Sequence, residues 1–101
     1  MKDNFLEYMR LIQEERFYEA HEVLEELWFP RRKERCDEVL VIKGFINASV
    51  AFELKRLKRD ENALRVWKNY EKYRPLIKKC DREIFYKIEK FLDGYYAKYL
   101  S

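Results

Sequence analysis

His21 and Glu25 stand four residues apart in the run Phe17-Tyr18-Glu19-Ala20-His21-Glu22-Val23-Leu24-Glu25-Glu26-Leu27-Trp28, and their types and spacing bear directly on chemistry. One helical turn separates positions i and i+4, so an imidazole and a carboxylate placed there converge on one point. Such a pair can share a proton or hold a divalent metal ion. His21, the only histidine of the chain, and Glu25 are therefore the candidate catalytic residues and the candidate metal ligands. At 100° per residue Glu25 falls about 40° from His21, on the margin of an apolar stripe of Phe17, Leu24 and Trp28. Glu19, Glu22 and Glu26 point roughly 100–160° away, towards solvent. A carboxylate at the stripe margin needs a donor, because burial without one is unfavourable. The alternative is that the pair only locks its helix against the neighbours.

The chemistry open to the pair is bounded. A catalytic metal takes three protein ligands, and one helix supplies two. The second histidine of a zincin motif is missing, and Tyr18 occupies the place of the Glu in a Glu-x-x-His di-iron pattern. Asn47 is a second polar oddity, set among Leu40, Val50, Ala51 and Leu54 in helical projection, and a buried amide needs partners. Glu22, Trp28 and Asn47 are taken as the candidate ligand-binding residues. Glu53 lies almost opposite Asn47 and reads as a solvated or paired acid. Ser49 has no nucleophile-elbow context. The expectation is a small polar pocket between the second and third helices, lined by His21, Glu25, Trp28 and Asn47.

The elements that must position these groups are all helical, since apolar residues recur at helical spacing almost throughout and no stretch alternates like a strand. A first helix starts at about Asp3, an N-cap type, with Phe5, Tyr8, Met9 and Ile12 on one stripe. The stripe of Phe17, Ala20, Leu24, Leu27 and Trp28 is displaced by roughly a quarter turn, so the chain must break near Glu14 to Arg16. The second helix ends at Phe29, before Pro30. A third runs from about Asp37 to Arg59 and is apolar on nearly every side from Val39 to Leu54, the mark of a central helix. Its Gly44, Ala48 and Ala51 admit a neighbour closely. Asp60 caps a fourth, with Ala63, Val66, Trp67, Tyr70 and Tyr73 inward, which Pro75 kinks or ends. Asp81 starts a fifth, with Ile84, Ile88, Phe91, Leu92, Tyr95 and Tyr99 inward. The fold class is all-α, a compact bundle of about five helices around a central apolar helix, forming one helical domain over residues 1–101.

Composition narrows the function classes. With 101 residues, 48% hydrophobic and 41% charged, the chain suits a globular fold rather than a disordered segment or a membrane span. Two glycines leave no Gly-rich phosphate cradle. Residues 1–30 carry eight acidic and three basic side chains, so the net charge of +3 hides an acidic front and a basic remainder. That asymmetry points to internal complementarity or to an acidic partner. The basic groups Arg31-Arg32-Lys33-Arg35 and Lys55-Arg56-Lys58-Arg59 lie at opposite ends of a rod about 35 Å long, which disfavours nucleic acid as the partner. Cys36 and Cys80, each read as lying at a helix start, are expected to stay reduced, though parallel helices would let them pair. No apolar leader follows Lys2, so a cytoplasmic protein with no membrane association is expected. Assembly into a homo-oligomer is left open.

The segment from Phe17 to Trp28, followed by Gly44-Phe45-Ile46-Asn47-Ala48-Ser49-Val50-Ala51, resembles the small prokaryotic "domain of unknown function 309" family. That family's pattern is a His-Glu-x-x-Glu-x-x-Trp helix, then a helix opening Gly-Leu-Ile-Gln and carrying small residues. The likeness extends over about residues 10–70. It implies an all-helical fold and, by the family's general description, a metal-dependent hydrolase with no established substrate. His21, Glu22, Glu25 and Trp28 match the first motif, and Gly44 and Ile46 the second. Asn47 stands where the family has Gln. Near positions 53 and 54 family members carry one or two histidines, whereas this chain has Glu53 and Leu54, so a metal site that needs that imidazole lacks a ligand here.

Overall fold

Asp3 opens the first helix by accepting at Oδ1 from the backbone N–H groups of Phe5 and Leu6, at 3.0 and 3.2 Å. It thereby satisfies two of the donors that a helix start leaves bare, as its residue type predicts. In this computed structural model, which describes residues 3–100, α1 runs Asn4–Gln13 and buries Tyr8, Leu11 and Ile12. It closes with Glu15 in the left-handed region at φ 60. The Glu15 N–H donates to the Ile12 carbonyl and the Arg16 N–H to the Leu11 carbonyl, each at 2.9 Å, the double closure of a Schellman end. This is the break expected between Glu14 and Arg16, and it re-aims the chain so that α2, Phe17–Trp28, buries Phe17, Ala20, Val23 and Leu24.

Phe29 is not pushed out of the helical region by Pro30, as the sequence suggested. It keeps φ −58 and ψ −46, and Phe29–Arg31 tightens into a 3-10 turn that holds Pro30 in its first turn, where a missing N–H leaves little unsatisfied. The central helix α3, Asp37–Arg56, buries residues on all sides, from Val39 and Val41 through Phe45 to Phe52. It stops short of Arg59 because Lys58, at φ 62, repeats the closure seen after α1, with the Arg59 N–H donating to the Leu54 carbonyl at 2.9 Å.

Helix α4, Asp60–Tyr73, packs along α3, and α2 packs on α3 as well. Gly44 is the point of closest approach: a Cβ there would sit 3.2 Å from the Tyr73 Cβ. A 3-10 turn at Arg74–Leu76 around Pro75 ends α4, and the short α5, Ile77–Cys80, follows. Asp81 does not start the last helix. It takes the left-handed conformation at φ 49, which a short polar side chain tolerates, and terminates α5. The last helix, α6, runs Glu83–Tyr99 and buries Phe85, Ile88 and Leu92. Phe85, absent from the predicted inward set, meets Phe5 and Phe45 edge to face at 5.6 Å.

The described residues form an all-α bundle with no strand, and one hydrophobic cluster takes side chains from every helix. No helix among them is long and apolar enough to cross a membrane. Cys36 precedes α3, as expected, but Cys80 ends α5 rather than starting a helix, and both are free thiols. Burial pushes the Cys80 thiol above its usual range, and Asp37 and Glu38 add to this.

Candidate functional site

Helix α2 sets His21 beside its buried face, one turn after Phe17 and three residues before Leu24, so the ring is drawn against the bundle while its edge stays polar. The imidazole side chain is 16% exposed. Its Nδ1 lies 3.1 Å from the Tyr18 carbonyl oxygen, and its Nε2 lies 2.5 Å from Glu25 Oε1. The carbonyl can only accept, so Nδ1 carries a hydrogen towards Tyr18. The pair predicted from i,i+4 spacing is thus formed, and both of its polar partners belong to α2 itself. Glu25 is 44% exposed and keeps contact with solvent.

His21 forms one wall of a cleft of about 330 Å³ with Tyr18, Val50, Glu53 and Leu54. Tyr18 is an exposed aromatic whose ring centre lies 5.2 Å from the imidazole. Val50 and Leu54 bring the cleft its apolar lining from α3. Glu53, only 15% exposed, is engaged by the Arg56 guanidinium, with Nε 2.6 Å from Oε1. It is a paired acid, one of the two states its position suggested. Positions 53 and 54, where the resemblance leads one to look for further imidazoles, do face His21 across this cleft.

The other sequence-predicted residues do not join it. The Asn47 amide, half-buried, donates to the Lys43 carbonyl at 2.8 Å, one turn back on its own helix, and lines neither cleft described here. Glu22 is exposed and points away, as its projection indicates. Trp28 lines a separate cleft at the far end of α2, with Leu40 and Lys43 of α3. Helices α2 and α3 run antiparallel, so Tyr18 and His21 meet residues 50, 53 and 54, whereas Trp28 meets residues 39, 40 and 43. Asn47 falls between the two. A projection down the helix axis gives the direction of each side chain but not its height, which is why one pocket was expected where two clefts exist. Tyr18, Val50 and Leu54 went unnoticed as walls; the one local signal was Tyr18, a large aromatic off the apolar stripe.

As a metal centre the site is incomplete. Among the described residues no three His, Cys, Asp or Glu side chains come together to hold an ion. His21 and Glu25 make two ligands, and the carboxylate across the cleft is taken by Arg56. This set does not match the three protein ligands of a catalytic divalent metal.

The family model described as Domain of unknown function (DUF309) matches residues 5–66, from α1 into α4 and across both halves of the cleft. No curated protein and no solved structure matches the chain.

Proposed function

Since the chain belongs to the DUF309 family, matched as a domain of unknown function, we propose from the geometry alone that it is a small-molecule binding protein. Its site is the cleft between the start of α2 and the end of α3. The ligand is a small, mainly apolar molecule with one polar group, because Val50, Leu54 and the rings of Tyr18 and His21 form most of the lining, and beside them stand only the Tyr18 hydroxyl and the Arg56-held Glu53 carboxylate as polar groups.

The observation that carries this reading is that both His21 contacts, to Tyr18 and to Glu25, stay within α2. A pair whose purpose was to lock helices would reach across to another element. Neither ring nitrogen is turned into the cleft, so the resting arrangement favours binding over proton abstraction. Hydrolysis by this pair would require the imidazole to leave the Tyr18 carbonyl and take the tautomer whose hydrogen sits on Nε2 and is donated to Glu25, so that Glu25 orients the ring and the bare Nδ1 serves as base. The chemistry is assigned to a proton rather than to a metal, given the missing third ligand.

His21 is the only histidine, so selectively labelled imidazole gives one unambiguous NMR probe. Titration with benzyl alcohol and phenyl acetate is expected to shift its signals saturably, and Leu54→Trp, which fills the cleft, is expected to abolish the shift while leaving the fold intact. Absence of a saturable shift with either compound, or an unchanged response in Leu54→Trp, overturns the proposal. Release of phenol from phenyl acetate that disappears in His21→Ala would add the hydrolytic step.

A further inference from the structure

The cleft at the opposite end of α2, about 410 Å³ in volume, is lined by Arg32, Lys33, Arg35 and Lys43 together with the rings of Trp28 and Tyr73. Its only acid is Glu34, and that carboxylate is already taken by Arg31, with Nη2 3.2 Å from Oε1. Acids elsewhere do not reach it. Glu7, Glu14 and Glu19 pair with Arg10 and Arg16 inside the acidic front, and Glu89 and Asp93 pair with Arg74. The complementarity between front and remainder that the sequence suggested is therefore not what neutralises this end. Lys33 and Arg35 are exposed and make no ion pair among the described residues, and the Lys43 ammonium has no ion pair among them either, lying 5.8 Å from the Tyr73 ring centre.

Of the two rings in the lining, Tyr73 already has Lys43 and Lys72 over its face, at 5.8 and 5.4 Å, whereas Trp28 packs against the core cluster and keeps a face without a ring partner. Trp28 is half-buried, has no partner ring, and its indole N–H has no acceptor among the described residues. Arg32 is held in place, its guanidinium 3.8 Å above the Phe29 ring and donating to the Phe29 carbonyl at 2.6 Å. Several like charges converging on a cavity with too few acids make a local field that selects a multivalent anion. A half-buried indole with no ring partner beside them selects a flat ring, since stacking tolerates any π-face and cations add to it.

We propose that this cleft binds a nucleotide-like anion, in which a flat ring system stacks on Trp28 and two or more phosphates meet Arg35, Lys33 and Lys43. A compact ligand fits better than a polynucleotide strand. The second basic group, Lys55 to Arg59, lies at the far end of α3, about 30 Å away at 1.5 Å per residue, so no continuous track exists. The site is distinct from the His21 cleft and stands or falls separately.

Trp28 reports on this cleft by itself, because the only other tryptophan, Trp67, is 3% exposed and stacked on Tyr96. The full chain is titrated with adenosine triphosphate, adenosine and inorganic triphosphate, followed by tryptophan fluorescence and in parallel by calorimetry. The expected result is saturable binding of adenosine triphosphate with quenching that vanishes in Trp28→Phe. Adenosine and inorganic triphosphate each bind at least about tenfold more weakly, and Arg35→Ala and Lys43→Ala each raise Kd by about tenfold. Glu25→Gln, in the other cleft, leaves Kd unchanged. The proposal is overturned by no saturation at millimolar adenosine triphosphate, by inorganic triphosphate binding as tightly, by an unaltered Kd in both Arg35→Ala and Lys43→Ala, or by a single-stranded oligonucleotide binding more tightly than the mononucleotide.

Discussion

The Tyr8 hydroxyl donates to the Phe45 carbonyl at 2.6 Å and so ties α1 to α3 through the middle of the core. Tyr70, on α4, has a buried hydroxyl with no hydrogen-bond partner among the described residues. The two tyrosines are therefore expected to respond oppositely to the same change. Tyr8→Phe removes this tie between helices from a carbonyl that keeps its own helical partner, and lowers stability by about 1 kcal/mol. Tyr70→Phe removes a desolvated hydroxyl and leaves stability unchanged or raised by up to about 1 kcal/mol. Chemical denaturation of both variants checks this, and equal losses would contradict it.

Alkaline pH acts on the same residues. Burial is the main cause that holds the Tyr8 phenol well above 10.0, with Tyr70 adding to it. The hydrogen bond to Glu15, then burial, pushes Tyr99 up to about 12. Raised folded-state values mean that the unfolded chain loses these protons first. The stabilising contribution is complete below pH 10 and is lost as pH rises through 12 and beyond. Thermal melts between pH 8 and pH 12 are expected to show Tm falling from about pH 10, and Tyr99→Phe is expected to flatten part of that fall.

Lys58 holds a left-handed conformation at φ 62 after α3, in a place where helices usually put glycine. Lys58→Gly relieves the steric penalty of a Cβ there, against the larger entropy of glycine in the unfolded chain. A net gain of about 0.5 kcal/mol is expected, equivalent to a rise of roughly 2–4 °C in Tm for a chain of this size. A measured loss would show that the Lys58 side chain makes a contribution its position does not reveal.

Glu25→Gln tests whether the His21 pair is structural. Its partner is on the same helix and Glu25 is 44% exposed, so removal of the charge is expected to lower stability by less than about 0.5 kcal/mol. Urea titration of this variant reads the value directly. A loss above about 1.5 kcal/mol would mean that the pair fastens the bundle after all.

The fold was readable in the sequence to the extent that amphipathic stripes govern it. The quarter-turn displacement between the Ile12 and Phe17 stripes locates the first break, and the unbroken apolarity of residues 39–54 marks the central helix. The turns themselves were harder to see. A chain with two glycines places Glu15, Lys58 and Asp81 at positive φ, so its helix ends carry no residue-type signal. That is why Asp81 passes for a helix start. The His21–Glu25 contact follows from spacing within one helix, whereas the company each keeps depends on how far α2 slides along α3, which no local pattern encodes. Trp28 and Asn47 were misplaced for that reason.

Helix α2 lends His21 to one cleft and Trp28 to the other, seven residues and about 10 Å apart along a single stiff rod. Any tilt or axial shift of that rod alters both cavities at once. Two occupants would consequently sense each other without touching, and whatever help or hindrance the first gives the second, the second returns in equal measure.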